Sequence, residues 1–161
     1  MVMRSAEEAS YRANKDRQKS WSLPFEINPT GADDYFAYIK NTGSKPLVIE
    51  RISGETDVAG TIEVHSVTGT QSGGSDVSPV SKSVGGGPDP IADFKTAVDI
   101  TGLTKVGNLG LLGLGVASVQ RTEKFPEGIR ILSGKAVALL WDTSTGTLSG
   151  IAHVYEEADS D

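Results

Sequence analysis

The chain contains no cysteine. That single absence removes disulfides, zinc–thiolate sites and thiol nucleophiles together. Histidine is nearly as scarce: His65 and His153 are the only two in 161 residues, whereas a metal centre wants three or four converging ligands. Aromatic residues make up 6% and hydrophobic residues 37% of the chain, both low for a self-sufficient globule. The longest apolar run, residues 109–119, is broken by Gly110, Gly113 and Gly115 and falls short of the ~20 residues of a membrane-spanning helix. The first twenty residues are polar throughout and lack the hydrophobic region of a signal peptide. The expectation is a soluble protein without a membrane partner. A net charge of −6 argues against free nucleic acid as the main partner.

Catalytic motifs are missing as well. The glycine groups GLLGLG (110–115) and GGGP (85–88) are not followed by a helical pattern, and no GK[ST] tripeptide occurs, so a phosphate-binding loop is not expected. No GxSxG elbow is present, and neither histidine has an orienting partner nearby in sequence. Asp33, Asp34, Asp89, Asp93 and Asp99 could in principle serve glycoside hydrolysis or hold calcium. They match no fixed motif and read as solvated turn residues and strand-end caps. The two histidines read as exposed-face or interface residues. The expectation is a protein with no catalytic residues, no cofactor and no metal.

What the chain does have is glycine, 19 residues of it, and period-two alternation. Residues 135–155 (KAVALLWDTSTGTLSGIAHVY) show it best. Val137, Leu139 and Trp141 fall on one face, Ala136, Ala138 and Leu140 on the other, and the turn cluster 142–146 leads into a second alternating run. The pattern predicts a β-hairpin whose first strand is covered on both faces. Upstream, residues 21–27 alternate, and Pro24 places that strand at an edge or bulge. Residues 35–41, 46–53 and 61–67 are further strands, the last with Ile62 and Val64 inward. A Gly/Ser/Pro-rich stretch, 68–90, holds at most a short strand in DVSPVSKSV. Residues 91–100 and 109–119 are weaker strands joined by TGLTKVGN, and 125–136 hold one more. Eight or nine short strands with turns between them predict an all-β fold, an antiparallel β-sandwich or jelly roll. The size is that of one domain, able to bury roughly 70% of its unfolded surface.

The exception is the N-terminus. Ser5 and Glu8 form a capping box; Glu7 and Glu8 sit at one end of residues 5–19, and Lys15, Arg17 and Lys19 at the other. That arrangement suits a short helix and its dipole. Ala6, Ala9, Tyr11 and Ala13 make too narrow a stripe to gain much from packing on the same domain. The helix therefore reads as an arm that docks on a neighbour, with Tyr11, Arg12, Lys15, Arg17, Lys19 and Trp21 as assembly contacts. Its basic run could also touch nucleic acid, but Glu7, Glu8 and Asp16 dilute the charge. The expected organisation is a helical arm over 1–20, a sandwich over 21–157 and an acidic tail over 158–161.

The run YFAYIKNTGSKPLVIERIS (35–53) resembles the opening strand pair of small jelly-roll proteins in tailed-bacteriophage virions. The later SGKAVALLWDTSTGTLSGIAHVYEE (133–157) is similar to their closing strands. The likeness spans residues 35–157 and omits the arm. It implies a capsid-associated protein of the head decoration or cement type: oligomeric, with a trimer favoured, without enzymatic activity, and bound to the major capsid protein or a neighbouring virion protein. Its location would be the capsid surface, after a soluble phase in the host cytoplasm. Two other readings compete. A carbohydrate- or receptor-binding sandwich would use Tyr35, Tyr38, Trp21 and Tyr155 as sugar-stacking aromatics. An enzyme of the cupin kind would need a His-rich metal motif that two isolated histidines do not supply.

Overall fold

The computed structural model describes residues 18–115 and 119–158. Among these there is no helix, and hence none long and apolar enough to cross a membrane. The predicted arm helix and most of the acidic tail lie outside the described residues. Eleven strands form: β1 (Ser20–Ile27), β2 (Asp34–Asn41), β3 (Leu47–Thr56), β4 (Gly60–Ser72), β5 (Ser75–Asp76), β6 (Val80–Ser81), β7 (Ala92–Thr96), β8 (Thr101–Leu114), β9 (Arg121–Ile131), β10 (Ala136–Trp141) and β11 (Leu148–Glu156).

All pairings are antiparallel, in two sheets. Sheet 1 runs β6-β1-β11-β3-β9 and sheet 2 runs β5-β7-β2-β10-β4-β8. Without the short β5, β6 and β7, the orders reduce to β1-β11-β3-β9 and β2-β10-β4-β8. These are two interleaved four-stranded sheets, the jelly-roll arrangement of a double Greek key. The three short strands all come from the Gly/Ser-rich stretch and its continuation, and they extend the two sheets on one side.

Alternation decides which side chains enter the core. Trp21, Leu23, Phe25 and Ile27 of β1 point between the sheets, as do Ile62 and Val64 of β4 and Val137, Leu139 and Trp141 of β10. Two bulges adjust the phase where strict alternation would fail. Ala37 pairs with Leu139 and Tyr35 with Leu140, so Phe36 is an extra residue, and Phe36 and Ala37 both enter the core. In β3 the residue left extra against β11 is Glu50, which lets Ile49 and Ile52 both face inward. Pro24 lies where β1 is flanked by β11 alone, since β6 reaches only Trp21 and Ser22. No ladder donor is lost there.

The predicted hairpin over 135–155 does not form. β10 pairs with β2 and β4 in sheet 2, while β11 pairs with β1 and β3 in sheet 1. Residues 142–147 are a crossing between sheets. It is held by Asp142, whose carboxylate accepts from Thr61 N at 2.8 Å, and by Asp57, which accepts from Thr147 N at 2.7 Å. Turn residues between two alternating runs look alike whether the chain folds back within a sheet or changes sheet. The expectation that β10 is covered on both faces does hold: Val137 to Trp141 are all buried. A second correction concerns residues 101–108, expected as a connection. They are strand, the first half of a fourteen-residue β8.

Candidate functional site

Of the assembly contacts expected from the sequence, Tyr11, Arg12, Lys15 and Arg17 lie outside the described residues. Lys19 turns back on its own chain, its Nζ donating to Glu156 Oε1 at 2.6 Å. Trp21 is 1% exposed and belongs to the core. The ring set for sugar stacking is also withdrawn from the surface. Tyr38 packs with Val67, Ile100 and Ala138 in a small cluster on the outer face of sheet 2, and Tyr155 packs against Val48 on the outer face of sheet 1. Both are buried. Tyr35 is half-buried and spends its hydroxyl on a histidine.

That histidine is His65, which the sequence placed at an exposed face or interface but which is only 2% exposed. It sits on the outer face of sheet 2, next to the inward Val64 and opposite Ala138. The Tyr35 hydroxyl lies 2.9 Å from Nδ1, and the two rings meet edge-on at 5.5 Å between centroids. Nε2 lies 3.3 Å from Glu63 Oε2 but off the line of a hydrogen bond. In the neutral ring with its proton on Nε2, Tyr35 donates to Nδ1 and the N–H is turned toward the carboxylate. Burial, reinforced by Lys105, holds the imidazole pKa below its ordinary value, against an opposing pull from Glu63. Burial first and then Glu63 raise the Tyr35 phenol. Both ring nitrogens thus face a phenol and a carboxylate, and the group braces β2 against β4.

His153 occupies the outer face of the other sheet, between the inward Ala152 and Val154. Burial, then Lys82 and Arg51, push its pKa down to about 4. The two histidines therefore lie on opposite outsides of the sandwich and do not converge. Asp34 is raised by burial and by Asp99 and Asp33, so three of the loop carboxylates do gather at one end. Asp93 is 3.7 Å from Lys95, which also bonds Asp76. Among the described residues no group of three or more His, Asp or Glu side chains is placed to hold a metal ion. A cleft of about 240 Å³ opens where Gly54 and Gly150 sit opposite each other beside Phe25, Glu55 and Ser149. It falls below the ~300–1,000 Å³ of ordinary ligand pockets.

The conspicuous surface lies at the rim. β8 ends sheet 2 and β9 ends sheet 1. The two strands approach each other where the ring of Phe125 fills the space that a Cβ on Gly110 would take, 2.6 Å away. Below that contact β8 shows Val106 at 65%, Leu109 at 45% and Leu111 at 53% exposure. Val106 and Leu109 are extra residues of β-bulges: Lys105 and Gly107 pair with Val67 and Ser66, and Asn108 and Gly110 with His65 and Val64. A bulge re-aims the side chain it carries, and here it turns two apolar residues outward. No motif in the sequence marks this surface. The available signal was a run of Val and Leu separated by Gly at 107, 110 and 113, set between polar neighbours.

No family model matches the chain, and no curated protein or solved structure matches it.

Proposed function

We propose that the chain is a non-enzymatic structural protein of a virion, a decoration or cement protein that self-associates and binds the capsid surface. Eight-stranded jelly rolls serve mainly as capsid and lectin domains and as cupin enzymes, and a fold alone does not choose among these uses. The observation that carries the choice is where the polar and aromatic residues lie. A cupin site needs ligands converging inside the barrel, and His65 and His153 are on opposite outer faces. A sugar platform needs exposed rings, and Trp21, Tyr38 and Tyr155 are buried. What the sandwich offers to a partner is its rim, where three large apolar side chains are exposed on one strand. The resemblance of residues 35–53 and 133–157 to phage virion proteins points the same way.

The test is direct. Antibody raised against the purified chain should label the outer surface of virions from the same source in immunogold micrographs. Mass spectrometry of the purified particles should find the chain in a fixed ratio to the major capsid protein. Particles that lack it, or binding of the isolated chain to defined glycans, would defeat the reading.

A further inference from the structure

Among the described residues the two sheets end in four strands, β6, β9, β5 and β8, and three of these ends are protected in recognisable ways. β5 and β6 are two residues long, too short to template another strand. β9 carries Arg121, Glu123, Lys124, Glu127 and Arg130 together with Pro126. Charges and proline on an edge are the usual devices against unwanted pairing. β8 is the fourth edge and the longest, at fourteen residues; it has no proline and one charge, Lys105. Its bulges do not cover it, since they turn Val106 and Leu109 into solvent.

From the order of residues on this strand we infer that β8 pairs with β8 of a second copy, antiparallel, across a twofold axis between Leu109 and Gly110. In that register Val106 meets Gly113 of the other copy, Gly107 meets Leu112, Asn108 meets Leu111 and Leu109 meets Gly110. Two of the exposed apolar side chains are thereby set against a small or polar residue, Val106 against Gly113 and Leu111 against Asn108. Nothing lies within 4 Å of where a Cβ would stand on Gly107 or Gly113, so both positions have room for an incoming side chain. A twofold contact of this kind uses the same patch on both partners. Charge agrees. Two copies of a chain with net charge −6 repel over most of their surface. Of the two long end strands among the described residues, β8 is the one with almost no charge, and the register sets Lys105 against Leu114 rather than against its own copy. The occupant is thus a second copy of this chain, and the symmetry is twofold in place of the trimer expected from resemblance. This rests on the self-association in the proposed function and not on the identity of the surface bound.

The absence of native cysteine permits a clean test of register. The full chain carrying both Asn108→Cys and Leu111→Cys should form a covalent dimer on mild oxidation, seen on a non-reducing gel. Asn108→Cys alone should not, because three residues of offset separate the two copies of that position by roughly 10 Å. Residues 108 and 111 of one strand are too far apart to bridge each other for the same reason. Native mass spectrometry of the unmodified chain should give a dimer. Leu109→Lys, at an exposed position that leaves the core intact, should weaken dimerisation about tenfold or more with an unchanged circular dichroism spectrum. A monomer or a trimer by mass, failure of the double variant to cross-link, or cross-linking by the single variant as readily as by the double would each overturn the inference. A dimer that is absent from virions would leave it standing and remove the proposed function instead.

Discussion

β8 and β9 are consecutive strands, similar in length, each ending one sheet on the same side of the sandwich. Both expose most of their residues. They differ in what they show to water. β9 presents arginine, lysine, glutamate and a proline; β8 presents valine, leucine and glycine. The same edge position thus carries opposite chemistry: β9 holds the charges and proline that defend an edge against pairing, and β8 lacks all but one of them. An edge strand is not a site by virtue of being an edge. The residues that ride on it decide whether it repels or recruits.

Both edges hang on one common core, and the largest expected effect tests that. Trp141 is 1% exposed, and its ring fills the space beside Gly60. Trp141→Ala should cost about 3–5 kcal/mol, and denaturant melts followed by Trp21 fluorescence and by circular dichroism should lose both sheets in one transition. Two separated transitions would mean that the edges belong to independent units.

The next effect is pH, and it asks whether the outer faces behind the two edges respond alike. His65 and His153 both have folded pKa values below the unfolded 6.5, His153 at about 4. Between those limits the unfolded chain binds more protons than the folded one, so stability is full above pH 6.5 and is lost as pH falls toward 4. Allowing for solvent screening, His153 accounts for on the order of 2–3 kcal/mol of that loss. His153→Gln should flatten the slope of melting temperature against pH over this window, leaving the part due to His65 on the side of β8. An unchanged slope would show that sheet 1 contributes nothing to it.

The point where the edges touch gives a smaller effect. A side chain on Gly110 would meet the Phe125 ring, so Gly110→Val should cost about 1–3 kcal/mol by overpacking. Gly113→Val, into open space on the same strand, should leave the stability of the isolated subunit unchanged in the same melts. Equal penalties at the two glycines would remove the distinction between the inner and outer sides of β8. The smallest effect belongs to the charges of β9. Arg130 Nε donates to Glu157 Oε2 at 2.6 Å with the arginine side chain 53% exposed, and Arg130→Ala should change stability by no more than about 0.5 kcal/mol. The role of such charges is to prevent association, so their removal should register in light scattering before it registers in a melt.

The sequence by itself determined that the described chain is a sandwich of strands, and often which face of each strand is buried. Ile62 and Val64 were inward and Trp141 was core, because a period of two leaves no other way to hide alternate apolar residues from water. It could not determine which strand lies beside which. The run ending at Trp141 and the run beginning at Leu148 read as a hairpin and belong to different sheets, since pairing is settled by contacts far apart in sequence. It also could not place His65. A histidine on the same strand face as Glu63 looks exposed until Tyr35, thirty positions away, closes over it. The β8 edge was legible only in part. Its leucines and glycines are plain in the sequence, but the two bulges that turn Val106 and Leu109 outward exist only in the pairing with β4. Local alternation is a property of the chain alone, whereas register, bulges and edges are properties of a pair of strands, and only the tertiary structure supplies the second member.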